Sequence, residues 1–313
     1  MNKRDALLSM LNDSSPPAYI PAGFFIHFDK SYHHGQAAID KHLGFFHHTG
    51  MDFVKIQYEN TFPRRQEIKT AVDWVKMPLY KRDFYEDQLN IIGGLMKAVG
   101  SEVPVIVTVY SPFMCAGHTI GNQEINEQIK ENPDAVKEGM EIITESLMIF
   151  VKACIALGVD GFYASTQGNE SHRFEDANLF NECIRPYDLT IMEEMDRSCD
   201  FNILHICDYH DDYDNLNPFL EYPGHVVNCS QKLGVKTLSL KEIADFFSRP
   251  YMGGVDRKGV IASGTEPEIE EMVKGLIEQA PEHFILGADC TLPGDINWDN
   301  IKKAISVAHG EGD

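Results

Sequence analysis

The chain has a deficit of positive charge and lacks long apolar runs. Its 27 Lys and Arg residues stand against 48 Asp and Glu residues, which gives a net charge of −21, and only nine of the basic residues are arginines. So acidic a surface repels phosphate backbones, which argues against a nucleic-acid partner. No run approaches the apolar length of a membrane span, and the first residues lack the apolar segment and cleavage site of a signal peptide. We therefore expect a cytoplasmic protein with no membrane or nucleic-acid partner.

The cysteines lack the spacing of a disulfide framework. There are seven, an odd number, and they are scattered along the chain. In a reducing cytosol we expect most of them to be free thiols. A lone cysteine is most often a small buried hydrophobic residue, and we keep that interpretation for Cys154, Cys183 and Cys199.

What the chain does have is an alternation of short apolar runs and amphipathic helical stretches. Runs rich in β-branched or aromatic residues predict eight strands, at Ala22–Phe28, Phe53–Tyr58, Val103–Val109, Gly161–Ala164, Asn202–Ile206, His225–Asn228, Gly259–Ala262 and His283–Leu286. Helical periodicity between them predicts helices that include Pro133–Leu157 and Asn178–Arg197. Short buried strands joined by crossover helices form parallel sheets. Eight such units predict a single (β/α)8 TIM barrel over residues 1–313, with a short helical extension over about residues 1–20.

Polar side chains collect at the C-terminal ends of the predicted strands, where a barrel of this class carries its active site. From this ring we predict catalytic roles for Glu59, Tyr110 and Asp289, and cofactor-binding roles for His27, Asp29, Gln167 and Asn228. Polar loops are common in any barrel, so the ring alone is a weak signal. Histidine and cysteine are not typical loop formers, however, and their concentration on strands five, six and eight indicates chemistry.

The strongest signal is a pair of strand ends that carry metal-binding side chains. The apolar run Phe201–Cys207 delivers His205 and Cys207 two positions apart, so both side chains leave the same face of a strand. Cys290 ends a second such run 83 positions later, a separation far too long for a zinc finger. One imidazole and two thiolates are a recognised zinc set that keeps a coordination position open for substrate. The sequence therefore predicts a catalytic zinc site formed by His205, Cys207 and Cys290.

A second group of histidines invites a metal interpretation that we do not adopt. His33, His34, His42, His47 and His48 lie close together in the sequence. Adjacent residues such as His47 and His48 cannot share one face of a helix. We expect these histidines to be solvated at the surface.

The metal-binding segments resemble a known signature. Leu204-His-Ile-Cys207, with Gly287-Ala-Asp-Cys290-Thr-Leu-Pro, resembles the HxC…C zinc motif of the uroporphyrinogen decarboxylase-like superfamily, and more narrowly that of its zinc-dependent, cobalamin-related methyltransferase branch (the methylcobamide:thiol methyltransferases). Val109–Phe113 is similar to the family's Gly-Pro-Phe-Thr segment after strand three, and Val226–Cys229 to its sixth strand end. The resemblance implies bound Zn²⁺, a small thiol substrate, a methyl donor such as a corrinoid supplied by a partner protein, and a homodimer.

Two other functions stay open at this stage. True uroporphyrinogen decarboxylases place arginines after strand one to hold the carboxylates of their substrate, whereas this chain has Gly23–Asp29 there and its next arginine is Arg64. A polyanionic porphyrinogen needs guanidinium clamps or an equivalent, so decarboxylation ranks second. A non-catalytic corrinoid- or metal-binding accessory protein is the third alternative.

The sequence also departs from the methyltransferase pattern around the cysteines. Asp208 follows Cys207 where that branch usually has glycine. Cys229, at the end of strand six, is either a fourth metal ligand or a buried side chain, in which case an acid such as Glu59 or Asp289 assists the metal. The free ring nitrogen of a metal-bound histidine normally donates to an acceptor that fixes its tautomer. Asp208 and Asp289 are the nearest acceptors to His205 in the sequence.

Overall fold

The structure is a computed structural model, and it describes residues 2–12, 19–58 and 60–311. Seven parallel strands form one sheet in the order β1-β2-β3-β4-β5-β8-β9, and a short antiparallel hairpin pairs β6 with β7. The strands are β1 (Val54–Lys55), β2 (Val105–Tyr110), β3 (Gly161–Thr166), β4 (Ile203–Ile206), β5 (Val226–Cys229), β6 (Lys232–Leu233), β7 (Lys236–Thr237), β8 (Tyr251–Val255) and β9 (Phe284–Ala288).

An extended segment at residues 22–28 closes the sheet into a barrel. Ala22 forms a parallel bridge with Leu286 of β9, and Ile26 forms another with Leu292. On the other side, the Asp52 amide donates to the carbonyl of Ala22. The segment lacks a continuous ladder because some of its amides use side-chain acceptors, as Ile26 N–H does with Gln57 Oε1 at 3.0 Å. The seven strands and this segment together make the eight staves of a barrel wall, that is, eight strand positions, and the predicted (β/α)8 fold is confirmed.

Helices surround the strands. The α-helices are α1 (Lys3–Asn12), α2 (Gly35–Thr49), α3 (Glu86–Val99), α4 (Pro112–Ile120), α5 (Asn122–Glu131), α6 (Pro133–Ala156), α7 (Asn178–Cys183), α8 (Arg185–Ser198), α9 (Leu240–Phe247), α10 (Val260–Ser263), α11 (Glu266–Ile277) and α12 (Trp298–Ala308). Shorter 3-10 helices span Lys30–Tyr32, Ala71–Lys76, Arg82–Tyr85 and Asn217–Phe219. Within the described part of the chain, no helix has the length and apolar character that a bilayer crossing requires.

Two of the predicted elements are wrong. Gly259–Ala262 is not the seventh strand: Val260–Ser263 is the short helix α10, and the strand is β8, at Tyr251–Val255. Two glycines in β8 weaken its strand signal, and a short apolar run cannot be assigned to strand or helix by periodicity. The predicted helix Asn178–Arg197 is two helices, α7 and α8, with Pro186 in the first turn of the second.

The hydrophobic residues form two main layers. Inward-facing side chains such as Phe25, Phe53 and Phe201 fill the barrel, together with Leu7 and Met10 of α1. A larger layer packs the outward faces of the strands against the surrounding helices. Since α1 packs into the interior layer, the other end of the barrel, at the strand C-termini, is the one that carries the cavity described below.

The surface assignment of the histidine group is wrong for one member. His42 is buried in α2, where its Nδ1 lies 2.6 Å from the Ala38 carbonyl oxygen and its Nε2 accepts the Gln57 N–H at 2.9 Å. His47 and His48 are exposed as predicted. Burial lowers the pKa of His42 from its ordinary 6.5 to about 4, so the ring is neutral near neutral pH.

Acid should destabilise the fold through His42. Because the folded-state pKa of about 4 lies below the unfolded value of 6.5, the unfolded chain binds the proton first as the pH falls. We expect this site to cost about 3 kcal/mol of unfolding free energy between pH 6.5 and 4, and nothing above that range. Denaturant unfolding at pH 7.0 and 4.5, for wild type and for His42→Gln, measures the difference. If the unfolding free energy has the same pH dependence in both proteins, His42 does not have a lowered pKa in the folded state.

Candidate metal centre

Strands β4 and β9 bring the three predicted metal ligands together. His205 lies in β4, Cys207 follows that strand, and Cys290 follows β9. The Cys290 Sγ lies 3.4 Å from His205 Nε2 and 3.9 Å from Cys207 Sγ. The three potential ligand atoms lie within 4.8 Å of one another, and all three residues are buried.

The surroundings favour a thiolate at Cys290 and a thiol at Cys207, because the hydrogen bond between the two sulfurs and burial raise the pKa of Cys207. The hydrogen bond from the Cys207 thiol is the main reason that the pKa of Cys290 falls well below its ordinary value, and His205 and Arg257 lower it further. Gln167 Nε2 donates to Cys207 Sγ at 3.4 Å. Thiolate is the form of cysteine that binds metal.

The donor set fits a zinc ion. One imidazole nitrogen and two sulfurs already converge, and this combination keeps a fourth position open in catalytic zinc sites. Cys229 does not point toward the three side chains. It is paired with Ile206 in the β4–β5 ladder, so its side chain and that of His205 lie on opposite faces of the sheet, and Cys229 packs in the outer layer. Burial raises the pKa of the Cys229 thiol.

The predicted acceptors for the His205 ring are used elsewhere. Asp208 Oδ1 and Asp289 Oδ2 both accept from Arg257 Nη1, at 2.8 and 3.0 Å. His205 Nδ1 is buried and has no hydrogen-bond partner within the described residues. Side chains alternate between the two sides of an extended chain. Each aspartate is adjacent in sequence to a predicted ligand cysteine, so its side chain points away from the side on which the cysteine and His205 lie. The ring is held instead by stacking on Tyr163, with centroids 4.8 Å apart.

A cavity of about 330 Å³ opens above the three ligands, at the C-terminal ends of the strands. Its lining consists of His27, Tyr110, Met114, His118, Asn122, Tyr163, Ser165, Gln167, His205, Cys207, Tyr209, His210, Cys290 and Thr291. Of the residues predicted for catalysis or cofactor binding, Tyr110, His27 and Gln167 therefore face the same space as the metal ligands. Asp289 packs behind Cys290 against Arg257.

Besides Asp289, two predicted site residues, Asp29 and Asn228, do not line the cavity. Glu59 lies outside the described residues. Asp29 is exposed, and its carboxylate accepts from the Ser31 amide at 2.9 Å to cap a 3-10 helix. Asn228 is buried beneath the site, where its amide nitrogen donates to the carbonyls of Met252 and Ala288 at 2.8 and 2.9 Å. Both ends of the Asn228 amide therefore have protein partners.

Two polar residues beneath His205, Tyr163 and Lys55, were not predicted from the sequence. The Tyr163 hydroxyl donates to Asn228 Oδ1 at 2.7 Å, and the buried Lys55 ammonium lies 4.7 Å from the centre of the Tyr163 ring. Strand alternation could have identified Tyr163, since it shares a face with Ser165 and Gln167. A lysine inside a strand buried on both faces is the corresponding signal for Lys55.

Curated relatives of the chain are methyltransferases. The methylcobamide:CoM methyltransferase MtbA of Methanosarcina mazei is 21% identical over 252 residues, which cover 78% of this chain and 70% of the relative. The methylated-thiol–coenzyme M methyltransferase of the same organism is 22% identical over 217 residues, covering 69% of this chain and 56% of the relative.

A solved structure and a family model cover more of the chain. A structure described as a methyltransferase from Methanosarcina mazei superposes with a TM-score of 0.75 over 98% of both chains, at 14% identity, so the two share a fold. The model of the family described as uroporphyrinogen decarboxylase (URO-D) matches residues 32–310. The resemblance that the sequence motifs indicated is confirmed, and the chain belongs to the URO-D family.

Proposed function

We propose that the chain is a zinc-dependent methyltransferase, which passes a methyl group from a corrinoid held by a partner protein to a small thiol. The observation that carries the proposal is the convergence of His205, Cys207 and Cys290 on one wall of a cavity of small-molecule size. The relatives support the reaction class, because both are named as coenzyme M methyltransferases and one is named for methylcobamide.

His205, Cys207 and Cys290 would hold the ion, with the remaining position facing the cavity. Zinc bound there supplies the Lewis acidity that lowers the pKa of a substrate thiol, so that it reacts as the thiolate. In the transfer, a bond forms between the substrate sulfur and the methyl carbon as the donor's bond to that carbon breaks. The electron pair of the broken bond stays on the donor, and the thiol proton goes to solvent.

The cavity wall suits a substrate without a large negative charge. Among the described residues that line it there is no lysine or arginine, whereas amide, hydroxyl, imidazole and phenol groups are plentiful. Ser165 Oγ is buried there and has no hydrogen-bond partner among the described residues, so we propose it as a partner for a polar group of the substrate. A porphyrinogen carries several carboxylates that need guanidinium partners, and this lining supplies none.

Metal content is the first test. We expect about one zinc per chain after expression in zinc-supplemented medium, with X-ray absorption reporting two sulfur ligands and at least one nitrogen ligand. Metal at full occupancy without sulfur ligands, or no metal uptake, would overturn the proposed site.

Methyl transfer is the second test. Methylcobalamin and a panel of small thiols should yield the methyl thioether and demethylated corrinoid with the zinc-loaded protein, and chelation should stop the reaction. Turnover of uroporphyrinogen with no thioether product would instead support the alternative that the protein is a decarboxylase. Zinc binding with neither reaction would support an accessory protein.

A further inference from the structure

Three hydrogen bonds connect Arg257 to the segments that carry the two cysteines. Arg257 Nη1 donates to Asp208 Oδ1 at 2.8 Å and to Asp289 Oδ2 at 3.0 Å, and its backbone N–H donates to Asp289 Oδ1 at 2.9 Å. Asp208 is the residue after Cys207, and Asp289 is the residue before Cys290. All three side chains are largely buried.

The strand ladder does not by itself fix the distance between the two sulfurs. Strands β4 and β9 are not neighbours, since β5 and β8 lie between them in the sheet. Their ends therefore approach each other only through side chains and loops at the barrel mouth. Arg257 follows β8, and one guanidinium nitrogen bridges from there to both ends.

We infer that Arg257, with Asp208 and Asp289, is a positioning device that holds the Cys207 and Cys290 sulfurs at the separation a single ion requires. The metal it serves rests on the proposed function, but the bracing of the two thiols does not. The device also accounts for Asp208, which stands where the methyltransferase branch usually has glycine: its carboxylate is one of the two anchors.

Asp289 connects Arg257 directly to Cys290, one of the proposed metal ligands. Asp289 Oδ1 accepts from the Cys290 backbone N–H at 3.0 Å as well as from the Arg257 backbone, and the Asp289 N–H donates to the Val255 carbonyl at 2.9 Å. A change in the position of this carboxylate therefore moves the Cys290 backbone. A rigid side-chain anchor of this type is how outer residues orient metal ligands.

The test measures the two thiols without metal. Dibromobimane becomes fluorescent when it bridges two nearby thiols, and Cys207 and Cys290 both line the cavity, with their sulfurs 3.9 Å apart. In metal-free wild type we expect rapid bridging that Cys207→Ser abolishes. In Arg257→Met we expect the rate of bridging, divided by the rate at which monobromobimane alkylates Cys290 in the same variant, to fall several-fold, because this ratio removes the effect of Arg257 on the pKa of Cys290. Arg249→Met is the matched control, because Arg249 is a half-buried arginine that bonds the carbonyls of Gly224 and Leu220, away from the cavity.

Arg257→Met leaves two aspartates buried without their cation, so folding must be separated from positioning. The triple variant R257M/D208N/D289N removes both charges, and we expect it to regain the thermal stability of wild type but to bridge as slowly as Arg257→Met. Bridging at the wild-type rate in either variant, or equal slowing in Arg249→Met, would overturn the inference.

Zinc affinity then links the device to the proposed function. By competition with a chromophoric chelator, we expect Arg257→Met and the triple variant to bind zinc about 10- to 100-fold more weakly than wild type, as is typical when an outer partner of a ligand is lost. If wild type binds no zinc but the bridging results hold, the proposed function fails and the inference stands. If wild type binds zinc and the variants bind it equally well, the inference fails and the proposed function stands.

Discussion

Serine in place of Cys207 or Cys290 is expected to abolish zinc binding and methyl transfer while the fold survives. Each change removes one of two sulfur donors from the proposed three-ligand site, and a neutral hydroxyl is a poor replacement for a thiolate. We expect a loss of affinity greater than the factor of about 100 that outer-residue changes can cause. The unfolding free energy of the metal-free protein should change by only about 1 kcal/mol, because serine nearly matches cysteine in size.

Metal content per chain, thioether yield and thermal unfolding of the same preparations measure these effects. Cys229→Ser is the matched control, since Cys229 is equally buried and ends the neighbouring strand but faces the outer layer. It should retain full zinc and activity. Loss of zinc from Cys229→Ser would make Cys229 a ligand after all, and wild-type zinc content in Cys207→Ser would remove the site.

The parts of the site that the sequence predicted are those encoded locally. His205 and Cys207 follow from two-residue alternation on one apolar run, and Cys290 from the end of another. Cys229 could not be settled from the sequence, because register decides which face a side chain leaves: the pairing of Ile206 with Cys229 sets it outward. A one-residue shift would have reversed that result.

The parts that the sequence did not predict depend on tertiary contacts. Arg257 lies 49 positions from Asp208 and 32 from Asp289, and nothing in the local pattern around it indicates either partner. The seventh strand was misplaced because Tyr251–Val255 contains two glycines, which lower its strand propensity, while Gly259–Ala262 has the more strand-like composition. In the barrel, Tyr251–Val255 forms strand β8 because it pairs with β5 on one side and with β9 on the other, and its own residues have low strand propensity.

Asn228→Leu is expected to cost about 3 kcal/mol of unfolding free energy and to weaken zinc binding as well. The change is close in volume, but it removes one hydrogen-bond partner from the Tyr163 hydroxyl and from each of the carbonyls of Met252 and Ala288. Losing a hydrogen bond to a buried polar group costs about 1–3 kcal/mol, which the added apolar contact offsets in part. Because Tyr163 stacks on His205, loss of its hydrogen bond to Asn228 also loosens the imidazole that faces Cys290.

Asn202→Leu separates these two effects. Asn202 is also buried. Its side-chain amide accepts from the Phe162 N–H, donates to the carbonyls of Met195 and Cys199, and lies 3.5 Å from His225 Nδ1, but it stands at the opposite end of β4 from Cys207. Denaturant unfolding should show similar losses for both variants, whereas zinc competition should show weaker binding for Asn228→Leu alone. If Asn228→Leu instead keeps its stability and its zinc, and loses only affinity for the methyl donor, then Asn228 contacts the donor, and the cofactor-binding role predicted from its strand-end position is correct.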